Sequence, residues 1–101
     1  MKQFYYEFNE NEYYGLVAVN VEENDLKTVP YKKATKMYVE VIAGDSVDEI
    51  LDEAEPNLRT KEYAFMKFMN APNTLNQTVR DLIQEFESTT DGVLLIDGSL
   101  L

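Results

Sequence analysis

The sequence contains neither cysteine nor histidine. That double absence excludes disulfide bonds, thiol nucleophiles, thiolate or imidazole zinc sites, and every mechanism built on a histidine base. Catalysis would have to run on Asp, Glu, Lys, Tyr or the Ser and Thr hydroxyls alone. Glycine and proline are scarce, at four and three residues in 101, while apolar residues make up 45%, a globular rather than a disordered composition. No apolar run approaches the ~18 residues that a membrane span needs. The opening Met1-Lys2-Gln3-Phe4 has no apolar stretch of the secretory kind. These features predict a cytoplasmic chain folded as one domain over residues 1–101, with one hydrophobic core.

Positive charge is also in short supply. Nine Lys and Arg stand against nineteen Asp and Glu, for a net charge of −10. Direct nucleic-acid binding needs clustered bases, so it is not expected; basic partners are. Lys32, Lys33 and Lys36 form the one basic cluster, too small for a nucleic-acid site. The heavy use of Asn, Lys, Tyr and Glu suggests an AT-rich bacterial or phage genome.

The richest stretch is residues 36 to 58. Met37, Val39, Val41 and Ala43 alternate with Tyr38, Glu40 and Ile42, which predicts a strand. Gly44 breaks it. Asp45 or Ser46 then reads as a helix cap, because either side-chain oxygen accepts from the orphan N–H groups of a first helical turn; with Ser46 as the cap, Glu49 completes a capping box. Val47, Ile50, Leu51 and Ala54 fall on one helical face. Pro56 ends the helix.

Around this unit, residues 4–8 and 13–21 read as two strands of a hairpin across Asn9-Glu10-Asn11-Glu12, with Phe4, Tyr6 and Phe8 on one face. Gly15 inside the second strand predicts a bulge or the close approach of a bulky neighbour, with the aromatic first strand as candidate. Residues 22–35 form a long connection. Thr60 caps an expected helix over 61–70, and Thr74 caps another over 75–87. Leu75, Val79, Leu82, Ile83 and Phe86 give the latter a helical stripe. Residues 93–96 are wholly apolar, which predicts a strand buried on both faces. The order β-β-β-α-α-α-β predicts an α+β fold: a two-layer sandwich with a mainly antiparallel sheet and helices on one face.

Two surfaces are candidates for function. The acidic helix carries Asp45, Asp48, Glu49, Asp52, Glu53 and Glu55 with no base among them. Like charges at i and i+4 are unfavourable there, so a face kept for solubility alone would mix in Lys. It predicts a docking site for a basic protein. The second surface is the hairpin with Tyr5, Tyr6, Tyr13 and Tyr14. Those of them on the sheet face away from the helices would present an aromatic partner or homodimer surface. Glu40 and Glu7 are the two acids inside expected strands, and Glu40 has the more apolar neighbours. No loop has the alternating oxygens and central Gly of a calcium site. The expected function is therefore a non-catalytic protein-interaction or regulatory module without metal or cofactor. The alternative is a polyanion mimic that blocks a DNA- or RNA-binding enzyme, as anti-defence proteins of phage and mobile elements do. In that case Asp81, Glu85, Glu87 and Asp91, near the end of the last helix, would extend the acidic stripe.

Overall fold

The computed structural model describes residues 2–11, 13–25, 27–43, 46–71 and 78–96. Its centre is the expected hairpin. Strands β1 (Lys2–Phe8) and β2 (Gly15–Val21) pair antiparallel, with Lys2 opposite Val21 and Phe8 opposite Gly15. Strand alternation sends Tyr6, Phe8, Val17 and Val19 to one face and Tyr5, Leu16 and Ala18 to the other. Both sets are buried, so both faces are covered.

The α+β class and the antiparallel sheet hold, but the helices pack on both faces, giving three layers instead of two. The reason lies in β2 itself. Residues 16–19 are apolar at every position, so alternation makes two apolar faces, and each must be shielded from water.

A second difference concerns residues 37–43. They are not a strand: helix α1 (Pro30–Tyr38) runs into a π-helical turn, Val39–Ala43. Pro30 stands at the first helical turn, where its missing N–H costs nothing. Tyr31, Ala34, Thr35, Tyr38 and Ile42 then recur at helical spacing, and the first face of the sheet buries Ala34, Thr35 and Tyr38. That stripe prevails over the local alternation, whose Val41 is left 61% exposed. The long connection shrinks to residues 22–29, where the Asp25 carboxylate accepts from the Lys27 and Thr28 amides, each at 3.0 Å.

The close approach expected at Gly15 is present, but the neighbours are α1 and the π-helical turn that follows it. A Cβ there would lie 2.8 Å from Ile42 Cδ1 and 2.9 Å from Tyr38 Cδ1. The space lets Tyr38 stack on Phe8, with ring centroids 4.2 Å apart and planes inclined by 10°, while its hydroxyl donates to the Tyr13 carbonyl.

Helix α2 (Val47–Glu53) is capped by Ser46, whose Oγ accepts from the Glu49 amide at 3.2 Å, and it buries Ile50 on the same face. Strand β3 (Asn57–Arg59) follows, in a stretch with no clear strand signal, and pairs antiparallel with the second half of β1. Thr60 caps α3 (Lys61–Met69), and Thr78 caps α4 (Val79–Ser88); each hydroxyl accepts an amide at 3.1 Å. The expected cap Thr74 and first helical residue Leu75 lie outside the described residues. Both helices cover the second face. Phe86 is its hub, stacked on Tyr5 at 5.6 Å and edge-on to Phe65 at 5.2 Å. Leu82 and Phe86 are buried, but Val79 and Ile83 are not, so the stripe is narrower than its sequence spacing.

Strand β4 (Gly92–Ile96) joins β2 across an irregular register at Leu16 and Val17, completing the order β3-β1-β2-β4. As an edge strand it is half-buried, not enclosed on both faces. Lys33 fastens α1 to this side, donating to the Asn20 carbonyl at 2.7 Å and pairing with Asp91 at 3.0 Å.

Candidate functional site

The acidic surface forms as its spacing implies. Asp48, Glu49, Asp52 and Glu53 project from α2, Glu55 follows it, and all are exposed. Asp48 and Glu49 sit in the first turn, where the helix macrodipole favours them; Asp52, Glu53 and Glu55 lie beyond that benefit. Asp45 lies outside the described residues. Among the described residues no base pairs with these carboxylates. Glu53 accepts from Asn11 Nδ2 at 3.3 Å, and the same amide group donates to the Ile50 carbonyl at 3.3 Å, which pins the hairpin loop to α2. Lys33 pairs with Asp91 and not with the acidic helix.

The open aromatic sheet face does not exist. Tyr5 and Tyr6 are only 6% and 8% exposed, and they point into the two opposite cores. The cause is again that helices cover both faces. Tyr13 and Tyr14 are half-buried. Tyr13 is held through its carbonyl by Tyr38, and Tyr14 turns its hydroxyl inward to Glu7.

Glu7 is the buried acid; Glu40 is exposed. Glu7 shares the second face of β1 with Tyr5, at the end of the core where α3 arrives. Arg59 Nε donates to its Oε1 at 2.8 Å and Tyr14 Oη to its Oε2 at 2.7 Å. Tyr63 Oη lies 2.9 and 3.0 Å from the two oxygens, and Asn9 Nδ2 lies 3.4 Å from Oε1. The guanidinium of Arg59 also lies over the Tyr63 ring, 4.8 Å from its centroid. One carboxylate thus joins β1, the hairpin, β3 and α3.

Burial alone would raise the Glu7 pKa. Hydrogen bonds from Tyr14, Tyr63 and Arg59, and the Arg59 charge, outweigh it and hold the carboxyl below its ordinary value. The Tyr14 hydroxyl is pushed well above the usual tyrosine range, by burial first and then by the bond to Glu7. A carboxylate kept ionised with both oxygens filled suits structural anchoring better than proton transfer. The sequence carried one usable signal for it: Glu7 sits in a strand flanked by Tyr6 and Phe8, with Tyr5 two residues back. Its partners Tyr14, Arg59 and Tyr63 were hidden because they meet only through the fold.

Among the described residues no group of three or more acids is arranged to hold a metal ion, and no helix is long and apolar enough to cross a membrane. The family described as the YosH C-terminal domain matches residues 3–95, from β1 through β4, and the chain belongs to that family. No curated protein and no solved structure matches it.

Proposed function

We propose that this member of the YosH C-terminal domain family is a non-catalytic, cytoplasmic interaction module that docks a basic partner protein on α2. The observation that carries this reading is the exposed row Asp48, Glu49, Asp52, Glu53 and Glu55, with no base paired to it among the described residues. A one-sign patch on a chain of net charge −10 draws cationic surfaces by long-range attraction. The lack of Cys and His and the saturated geometry of Glu7 support a non-catalytic role.

The polyanion-mimic reading draws less support. Of its second acidic group, Asp81, Glu85 and Glu87 stand on α4, which packs on the opposite face of the sheet from α2, and Asp91 stands in the turn after it. Glu87 is paired with Lys61, and Asp91 with Lys33. A continuous acidic stripe along two adjacent helices is therefore absent, and mimicry would rest on α2 alone.

Affinity capture at low and moderate salt, with the native chain and with Asp48→Asn/Asp52→Asn/Glu53→Gln, tests both. The expected result is a partner released by salt and lost in the triple variant. A captured nucleic-acid enzyme that duplex DNA competes away would favour mimicry. Retention of every partner by the triple variant would refute the acidic-face reading.

A further inference from the structure

We infer that the open edge of β1 beside β3 is a second docking surface, shaped for an extended acidic segment of another protein that joins the sheet as a strand. Among the described residues strand β3 pairs only with Tyr5, Tyr6 and Glu7, although β1 begins at Lys2. Thr60 caps α3 and turns the chain out of the sheet. Positions opposite Phe4, Gln3 and Lys2 are thereby vacated; among the described residues these three have a strand partner on the β2 side only. The space is an open groove of about 400 Å³ between Gln3, Phe4 and Tyr5 on one wall and residues 58–61 on the other. An unpaired strand edge beside apolar surface is what strand addition requires.

Strand alternation then sorts the groove chemically. Phe4 and Leu58 lie toward the α1–α2 side, with Leu58 59% exposed. Arg59 is opposite Tyr5 in the register, and so faces the α3–α4 side, where Lys61 also lies. Among the described residues no acid lines the groove, on a chain where acids outnumber bases nineteen to nine. Arg59 engages Glu7 through Nε alone, so among the described residues its Nη amines have no hydrogen-bond partner. Lys61 pairs with Glu87 at 3.3 Å, and both side chains are more than half exposed, at 54% and 55%. A ligand carboxylate can displace such a pair at little cost. Lys2 stands exposed at the far end of the same edge. The fitting occupant alternates apolar and acidic residues: the apolar ones meet Phe4 and Leu58, and the acidic ones meet Arg59 and Lys61. A basic segment, the kind proposed for α2, would meet like charge here.

Display selection of random octapeptides on the intact chain tests this, with the most enriched sequence titrated by NMR. Enrichment of alternating acidic and apolar residues is expected, with amide shifts confined to residues 2–4 and 58–61. N-methylation of the peptide at alternate amides should abolish binding, since it blocks strand pairing without touching the protein. Lys61→Glu should weaken binding about fivefold. The inference is overturned if no sequence is enriched, if N-methylation has no effect, or if shifts fall elsewhere. Basic peptides that map to α2 would support the proposed function and count against this groove.

Discussion

Arg59 donates Nε–H to the Glu7 carboxylate at 2.8 Å, and this one bond joins the shortest strand of the sheet to its centre. β3 has only three residues, Asn57–Arg59, too few to hold an edge by backbone pairing alone. Glu7→Gln removes the charge that Arg59, Tyr14 and Tyr63 converge on. Stability should fall by about 2 kcal/mol, less than for a fully enclosed pair because Arg59 keeps contact with water. Urea titration measures this. Glu55→Gln, at an exposed position, should change stability by less than about 0.5 kcal/mol. Equal effects from the two substitutions would mean that the carboxylate anchors nothing.

The same residue sets a pH dependence with a definite sign. The folded chain holds the Glu7 carboxyl below its ordinary pKa, so the unfolded chain binds the proton more readily. The resulting stability is fully present above the unfolded value of about 4.3 and is lost as pH falls through the lower folded value. The native chain and Glu7→Gln should therefore differ most near neutrality and converge in acid. Tyr14 acts at the other end, because its folded pKa is raised. Its contribution is complete below the unfolded value of about 10 and is lost as pH rises beyond it. Stability curves of the native chain and Tyr14→Phe should accordingly draw together in strong alkali.

Gly15 is the second fixed point. A Cβ there would sit 2.8 Å from Ile42 and 2.9 Å from Tyr38, both packed into the same core. Gly15→Ala should cost about 2 kcal/mol or more through overpacking, though alanine otherwise suits a strand better than glycine. Tyr38→Leu clears the ring from that space. The double variant should be markedly less destabilised than the sum of the two single ones, as chemical denaturation would measure. Strict additivity would show that the two residues do not share this volume.

What the sequence made legible follows its strongest local signals. The hairpin, its face pattern, the caps Ser46 and Thr60, and the crowding at Gly15 each follow from a few neighbouring residues. The acidic face of α2 was legible for the same reason. Residues 37–43 misled because a β-branched run carries both periods, and only the stripe beginning at Tyr31 distinguishes them. The doubled core was written in β2 at residues 16–19, yet alternation drew attention to one face. The Glu7 cluster could not be read ahead, since Glu7 and Tyr63 lie 56 residues apart and meet only once α3 is placed against β1.

The acidic face yields a prediction in which stability and binding move oppositely. Asp48 and Asp52 are four residues apart on α2, as are Glu49 and Glu53, so each pair repels. Asp52 and Glu53 lie beyond the helix start and gain little from the macrodipole. Asp52→Asn with Glu53→Gln should therefore raise stability by a few tenths of a kcal/mol at low salt, and the gain should shrink as salt screens the repulsion. Differential scanning calorimetry at two ionic strengths reads the first effect, and capture of the basic partner reads the second. Gained stability with lost binding would mean the repulsion is maintained for docking. Gained stability with binding intact would leave α2 an ordinary solvated face.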